Sequence, residues 1–302
     1  MRPCIGPSQE GSLHENHDRG ATAVLARGVH GASTPPAALF AMLDGHGQEG
    51  AQVSGFSQKN LFAACTAALA AGHGPSEAVA YAFEKTAAAL EGRSGIDCRF
   101  SGSTAVLALI TPSPSGRVIT VGFVGDSRAI VGRAKPGRAG GRAQAELMTL
   151  MLTRDHKPDD PKERLRLQQA RAVVRPSRVQ HPTTGQFVEV GCTRVWDAGQ
   201  VYGVAMSRSL GDTQCHPFLI ATPDVESRPL NEKDVKLVMA TDGVWDVMKN
   251  EEAMAIAASL APDQAAQKIV HESATRWDKQ MPGRRDDITC LVVDLAAADL
   301  QL

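Results

Sequence analysis

The stretch Ala37-Ala38-Leu39-Phe40-Ala41-Met42-Leu43-Asp44-Gly45-His46-Gly47 sets seven consecutive apolar residues against an acid, two glycines and a histidine. Seven residues are short for a core-spanning helix but suit a strand, and the lack of alternation means that both faces of that strand are covered. The pattern recurs, since residues 118–124 run into Gly125-Asp126 and residues 235–241 into Asp242-Gly243. Asp286-Asp287 directly precedes a further apolar run, 288–293, rich in β-branched residues. Each ending places a carboxylate at a sheet edge, where Gly lets the backbone turn sharply or bring its carbonyl close to a ligand. In isolation Asp-Gly is a turn signal. If these edges meet, their acids cannot all stay ionised without a cation, and oxygen-only donors select Mg²⁺ or Mn²⁺ over zinc.

Working outward, residues 104–110, 128–131 and 146–152 read as further strands, with Thr111-Pro112-Ser113-Pro114-Ser115-Gly116 as a hairpin connection. Helices are predicted over 50–69, 75–90 and 262–277; Pro75-Ser76 and Pro262-Asp263 suit helix starts, and Ala265, Ile269 and Ala274 share one face. Helices grouped between antiparallel strands favour an α+β sandwich over a doubly wound sheet. Residues 135–145, rich in Gly, Arg and Ala, read as an exposed loop, and the polar, Arg-rich span 155–207 as a surface subdomain.

The 302 residues are 43% hydrophobic and 22% charged, enough for a large core and too balanced for a disordered or fibrous chain. With 32 Lys and Arg against 33 Asp and Glu, the net charge of -1 argues against a nucleic-acid partner. Six scattered cysteines without a C-x-x-C pair fit reduced thiols, and the first twenty residues lack the apolar stretch of a secretory leader. No segment approaches the length of a membrane span. The expectation is a soluble protein of the cytoplasm or nucleus, monomeric because no coiled-coil pattern is present. Neither Ser101-Gly102-Ser103-Thr104 nor Gly125-Asp126-Ser127 forms a G-x-S-x-G elbow, and no G-x-x-x-x-G-K-[ST] loop occurs. A metal-activated water is the better nucleophile candidate.

Taken in order from Asn16 to Asp294, the motifs resemble those of the metal-dependent Ser/Thr protein phosphatases of the 2C type. Asn16-His17-Asp18-Arg19 is similar to the family's N-terminal Asn-Gln-Asp motif, and Leu43-Asp44-Gly45-His46-Gly47 to its central metal motif. Ser101-Gly102-Ser103-Thr104-Ala105, Val124-Gly125-Asp126-Ser127-Arg128 and Asp155-His156-Lys157-Pro158 follow. Ala205-Met206-Ser207-Arg208-Ser209-Leu210-Gly211-Asp212 and Ala240-Thr241-Asp242-Gly243-Val244-Trp245-Asp246-Val247 complete the series. Thr193-Arg194-Val195-Trp196 and Asp286-Asp287 look most like plant-type members.

The resemblance implies a central antiparallel β-sandwich flanked by helices on both sides, four layers in the order α/β/β/α. One catalytic domain would span 1–302, with a flap subdomain at about 160–202 beside a metal cleft. It implies that Asp44 bridges two Mg²⁺ or Mn²⁺ ions, that Gly45 lends its carbonyl to one, and that Asp242 and Asp286 complete the other. Asp18 would join the cluster directly or through water, and Asp155 would hold a weaker third ion. His46 is implied as the acid that protonates the departing Ser or Thr alkoxide of a phosphoprotein substrate, after in-line attack by water and without a phosphoenzyme. Asp126, Arg128, Arg208, Asp212 and Asp246 also match motif positions and are read as scaffold ion pairs and turn bonds; Trp196, Trp245 and Trp277 are read as packing.

Two positions depart from the pattern. Leu13 stands where many members place an Arg that clamps the substrate phosphate, and His17 where Gln or Glu is usual. With the implied ligands intact, an active enzyme with weakened phosphate binding is expected, unless Arg2, Arg19 or a flap Arg replaces the clamp. The alternative is a weak or inactive pseudophosphatase that binds a phosphoprotein or kinase as a regulatory module. A metal-dependent hydrolase of small phosphate esters is a third reading.

Overall fold

The computed structural model describes residues 4–5, 16–25, 36–135 and 147–297. Two five-stranded antiparallel sheets form its frame. In spatial order the first is Asp224–Leu230, Gly116–Val124, Ala105–Ser113, Ala37–Leu43 and Arg19–Leu25. The second is Cys4–Ile5, Thr289–Asp294, Asp234–Ala240, Arg128–Ala134 and Leu147–Met151.

Why Ala37–Leu43 reads as an unbroken apolar run is visible in its pleat, because every residue of the strand is buried. Ala38, Phe40 and Met42 enter a core that also holds Val121, Phe123, Val131, Leu237, Met239 and Val293, drawn from both sheets. Their neighbours Leu39, Ala41 and Leu43 point the other way, into a cluster with Val53, Leu61, Val79 and Phe83 of helices Gly50–Ala70 and Pro75–Glu91. On the second sheet Ile130, Val238, Ala240 and Val292 turn outward onto Met254, Ala257 and Ile269 of helices Asn250–Ser259 and Pro262–Gln280. Successive side chains on a strand face opposite sides, so the two sets of clusters amount to four layers, α/β/β/α. This is the α+β sandwich expected from the motifs.

The three predicted helices fall on Gly50–Ala70, Pro75–Glu91 and Pro262–Gln280. The Pro- and Ser-rich stretch after Thr111 is a hairpin whose strands pair as far as Ser113 and Gly116. The polar span 155–207 contains helix Pro161–Gln169 and a separate three-stranded sheet of Val173–Gln180, Phe187–Trp196 and Gly203–Val204. A last small sheet joins Gly45–His46, Gly102–Ser103 and Leu210–Gly211 at the end of the sandwich where Ala37–Leu43 terminates. Among the described residues no helix is long and apolar enough to cross a membrane. Arg2, Leu13 and all of the predicted loop except Lys135 lie outside the described residues.

Candidate metal centre

Asp44 follows the last residue of Ala37–Leu43, on the first sheet. Asp242 opens the short helix Asp242–Trp245 just beyond Asp234–Ala240, and Asp286 leads into Thr289–Asp294, both on the second. Thr104 holds Asp44 from two sides: the Asp44 N–H donates to Thr104 Oγ1 at 2.9 Å, and the Thr104 N–H donates to the Asp44 carbonyl at 2.9 Å. Asp18, wholly buried, is joined to the second sheet by Thr241, whose hydroxyl donates to Asp18 Oδ2 at 3.0 Å. The His17 N–H donates to Asp287 Oδ2 at 2.8 Å, so the segment ahead of Arg19–Leu25 is tied to the residues next to Asp242 and Asp286.

Gly45 sits where nothing larger fits. A Cβ there would lie 2.3 Å from the Gly50 carbonyl oxygen and 2.9 Å from that of His17, both backbone atoms. The missing side chain therefore lets three backbone segments cross beside Asp44.

The carboxylates perturb one another. Burial first, and then the charges of Asp18, Asp242 and Asp286, push Asp44 well above the usual carboxylate range. Burial likewise raises Asp242, helped by Asp126 and Asp286, and carries Asp18 up to about 7. Asp286, nearer solvent, is raised as well. Asp18 Oδ1 and Asp242 Oδ1 are buried without a hydrogen-bond partner among the described residues. As placed, no three His, Cys, Asp or Glu side chains among the described residues close around one point. What the structure holds is a pool of mutually repelling oxygen donors with unsatisfied lone pairs, the environment that a hard divalent cation relieves and a neutral site would not need.

Asp155 is not brought into this group. Both of its oxygens are taken by Arg128, Nε to Oδ1 at 3.0 Å and Nη2 to Oδ2 at 2.7 Å. A bidentate pair of this kind leaves little lone-pair capacity for an ion. The acid beside Asp242 on this flank is Asp126, buried, with Oδ1 unpartnered among the described residues and Oδ2 paired to the Lys157 ammonium. Its charge also raises Asp246 and Asp286. The sequence places Asp126 with the scaffold ion pairs, yet Gly125-Asp126 ends a buried strand in the same way as the others. Arg19 donates from Nη1 to the carbonyls of Asn16 at 2.8 Å and Asp18 at 2.7 Å.

His46 lies in the small sheet two residues beyond Asp44. Its Nε2 meets Asp212 Oδ2 at 2.8 Å, while Nδ1 is buried with no partner among the described residues. Burial alone would lower the imidazole's pKa; the charge and hydrogen bond of Asp212 outweigh it, and the pKa is raised. Asp212, also assigned to the scaffold from the sequence, moves oppositely: burial would raise it, and the His46 charge and hydrogen bonds hold it below the usual range.

Fold and site together describe a layered α+β sandwich with an acidic, oxygen-lined centre at one end of its sheets. Residues 9–277 match the family model of protein phosphatase 2C, and the chain belongs to that family. It is 36% identical over 214 residues to the probable protein phosphatase 2C 12 of Oryza sativa subsp. japonica, covering 70% of this chain and 50% of that protein. To the probable protein phosphatase 2C 59 of the same plant it is 33% identical over 266 residues, 88% of this chain and 68% of that one. The chain thus spans between about half and two thirds of these relatives' lengths. Among solved structures, the serine-threonine phosphatase 2C of Toxoplasma gondii superposes with a TM-score of 0.71 at 19% identity, over 97% of both chains. A C. elegans sex determining protein does so at 0.69 and 20% identity, over 98% of this chain and 65% of its own. Both show the fold.

Proposed function

We propose that this chain is an active protein Ser/Thr phosphatase that uses two Mg²⁺ or Mn²⁺ ions to hydrolyse phosphoserine and phosphothreonine in phosphoprotein substrates. The observation that carries the reading is that Asp44, Asp242, Asp286 and Asp18, at the ends of the two sheets, each have a pKa raised by burial and by neighbouring acids. Asp44, Asp242, Asp286 and the Gly45 carbonyl would hold the ions, with Asp18 beside them and Asp126, rather than Asp155, at the flank. When bound, such ions supply Lewis acidity toward the phosphoryl oxygens and lower the pKa of a water at neutral pH. The chain's own part is to orient and to move a proton: Thr104 fixes the Asp44 backbone, Gly45 admits the close crossing, and His46 protonates the leaving alkoxide.

The test is hydrolysis of p-nitrophenyl phosphate and a phosphothreonine peptide with Mn²⁺, Mg²⁺ or EDTA, in wild type and Asp44→Asn. Metal-dependent turnover lost in the variant is expected. Wild-type turnover indistinguishable from that of Asp44→Asn would sink the enzyme reading in favour of a pseudophosphatase, for which Leu13 and His17 are the supporting positions. A preference for the small ester over the peptide would instead favour the small-ester hydrolase.

A further inference from the structure

His46 is not held by its own loop. In the small sheet it pairs with Gly102, and Gly102 pairs on its other side with Gly211, so a residue 166 positions away is carried to the imidazole. Asp212 emerges from that strand in the left-handed region, at φ 50°, with its N–H donating to the Ser101 carbonyl at 2.9 Å. A non-glycine residue in that region is uncommon, although Asp adopts it more readily than most. Gly102 clears the space between the partners: a Cβ there would lie 2.1 Å from Asp212 Oδ2 and 2.8 Å from His46 Nε2.

Three groups satisfy the buried Asp212 carboxylate. Oδ2 accepts from His46 Nε2 at 2.8 Å and from Ser209 Oγ at 2.5 Å, and Oδ1 accepts from the Tyr202 hydroxyl at 2.8 Å. Tyr202 belongs to the separate three-stranded sheet, immediately ahead of its strand Gly203–Val204. Its backbone N–H donates to Asp197 Oδ1 at 2.9 Å, and its ring packs edge-on against Phe100 at 5.3 Å between centroids. A carboxylate that accepts one imidazole N–H leaves the other ring nitrogen to act, here Nδ1, which is buried and lacks a partner among the described residues.

We propose that Asp212 is the positioning residue of the leaving-group acid, and that Tyr202 makes it answer to the three-stranded sheet. The inference rests on the phosphatase reading above. In the step concerned, a water oxygen forms a bond to phosphorus as the bond from phosphorus to the ester oxygen breaks. His46 Nδ1 delivers its proton to that ester oxygen, which leaves as the alcohol, and a proton from the attacking water restores the imidazolium. Asp212 stays ionised throughout, holding the ring in the orientation that aims Nδ1. A segment that shifts the Gly203–Val204 strand moves Tyr202, and through Asp212 it moves the ring.

The leaving group reads this out. Threonine alkoxide needs the proton, whereas p-nitrophenolate departs without it. In Asp212→Asn, kcat on a phosphothreonine peptide is expected to fall about 100-fold, and on p-nitrophenyl phosphate by less than about fivefold, with KM unchanged. Tyr202→Phe keeps the ring against Phe100 and is the second variant, expected to lose about three- to tenfold with the same ester selectivity. Independently of turnover, the His46 Nε2 proton is expected to be strongly deshielded by NMR in the wild type and to lose that shift in Asp212→Asn. Equal losses on both esters, or changes confined to KM, overturn the inference and leave the phosphatase reading standing. A wild type that cleaves neither ester overturns the phosphatase reading, and the positioning role of Asp212 with it.

Discussion

Replacing Glu163 by Gln tests whether the polar span after Asp155 is locked to the sandwich by one buried anion. Glu163 is wholly buried in helix Pro161–Gln169 and accepts from Arg208 twice, at 2.5 and 3.0 Å. Arg166 donates to it at 3.0 and 3.2 Å, and the Ser207 hydroxyl at 2.8 Å. Burial would raise this carboxyl's pKa; the hydrogen bonds and charges of Arg208, Ser207 and Arg166 prevail and pull it from 4.5 down to about 2. A depressed pKa means stability that is present above the unfolded value and lost as pH falls through the folded one. Linkage converts that shift into about 3 kcal/mol at pH 7 and about 2 kcal/mol at pH 3.5. Breaking one side of a buried pair costs about 3–5 kcal/mol, and here Arg208 keeps Asp224 at 2.9 Å and the Thr222 carbonyl at 3.0 Å, which favours the low end. Urea denaturation followed by Trp fluorescence in EDTA, at pH 7 and pH 3.5, is therefore expected to show Glu163→Gln less stable by about 3 kcal/mol, with the gap narrowing by about 1 kcal/mol on acidification. A loss below about 1 kcal/mol at pH 7, or a gap that widens in acid, would refute the reasoning.

Asp155→Asn is expected to keep metal-dependent turnover within about threefold and to cost about 1 kcal/mol of stability, because its partner is Arg128; a large rise in the metal concentration needed for half-maximal rate would restore it as a ligand. Gly45→Ala forces a Cβ to 2.3 Å from a backbone oxygen and is expected to lower the thermal midpoint, by an overpacking cost of about 1–3 kcal/mol, and to abolish turnover. A variant as active as wild type would show that the crossing of backbones beside Asp44 is dispensable. Saturating Mn²⁺ is expected to stabilise the wild type by about 2.7 kcal/mol at a hundred times its dissociation constant, and Asp44→Asn far less; equal thermal shifts in the two proteins would place the ion elsewhere.

What could be read before the structure follows from burial. Ala37–Leu43 announced itself because layers cover both of its faces, so no polar residue interrupts it. Arg19–Leu25 did not, because it is an edge strand whose Arg19, Ala21 and Thr22 are only half-buried. Helix Pro161–Gln169 buries only Glu163 and Leu167, too few for an apolar stripe, and its Asp160 cap, accepting from the N–H groups of Lys162 and Glu163, was the overlooked sign. In the site, acids at strand ends are legible as acids at strand ends, and Asp126 meets that description as well as the others do. Asp155 matched a motif, but no motif shows that Arg128 occupies both of its oxygens. Asp212 also matches a motif, but nothing local shows its partnership with His46, which is made by Gly102 lying between two strands.

Because Asp44 hangs from one sheet and Asp242 and Asp286 from the other, an ion bound between them would be a clasp across the sandwich. An ion held there would draw the two sheets together at their open end, and its affinity would depend on their alignment. Phe40, Met42, Phe123 and Met239, which fill the gap between the sheets, set that alignment from within. Core residues that touch no ligand would thereby act as the shims of a metal gauge: trimming one is expected to slacken the grip on the ion as well as the fold.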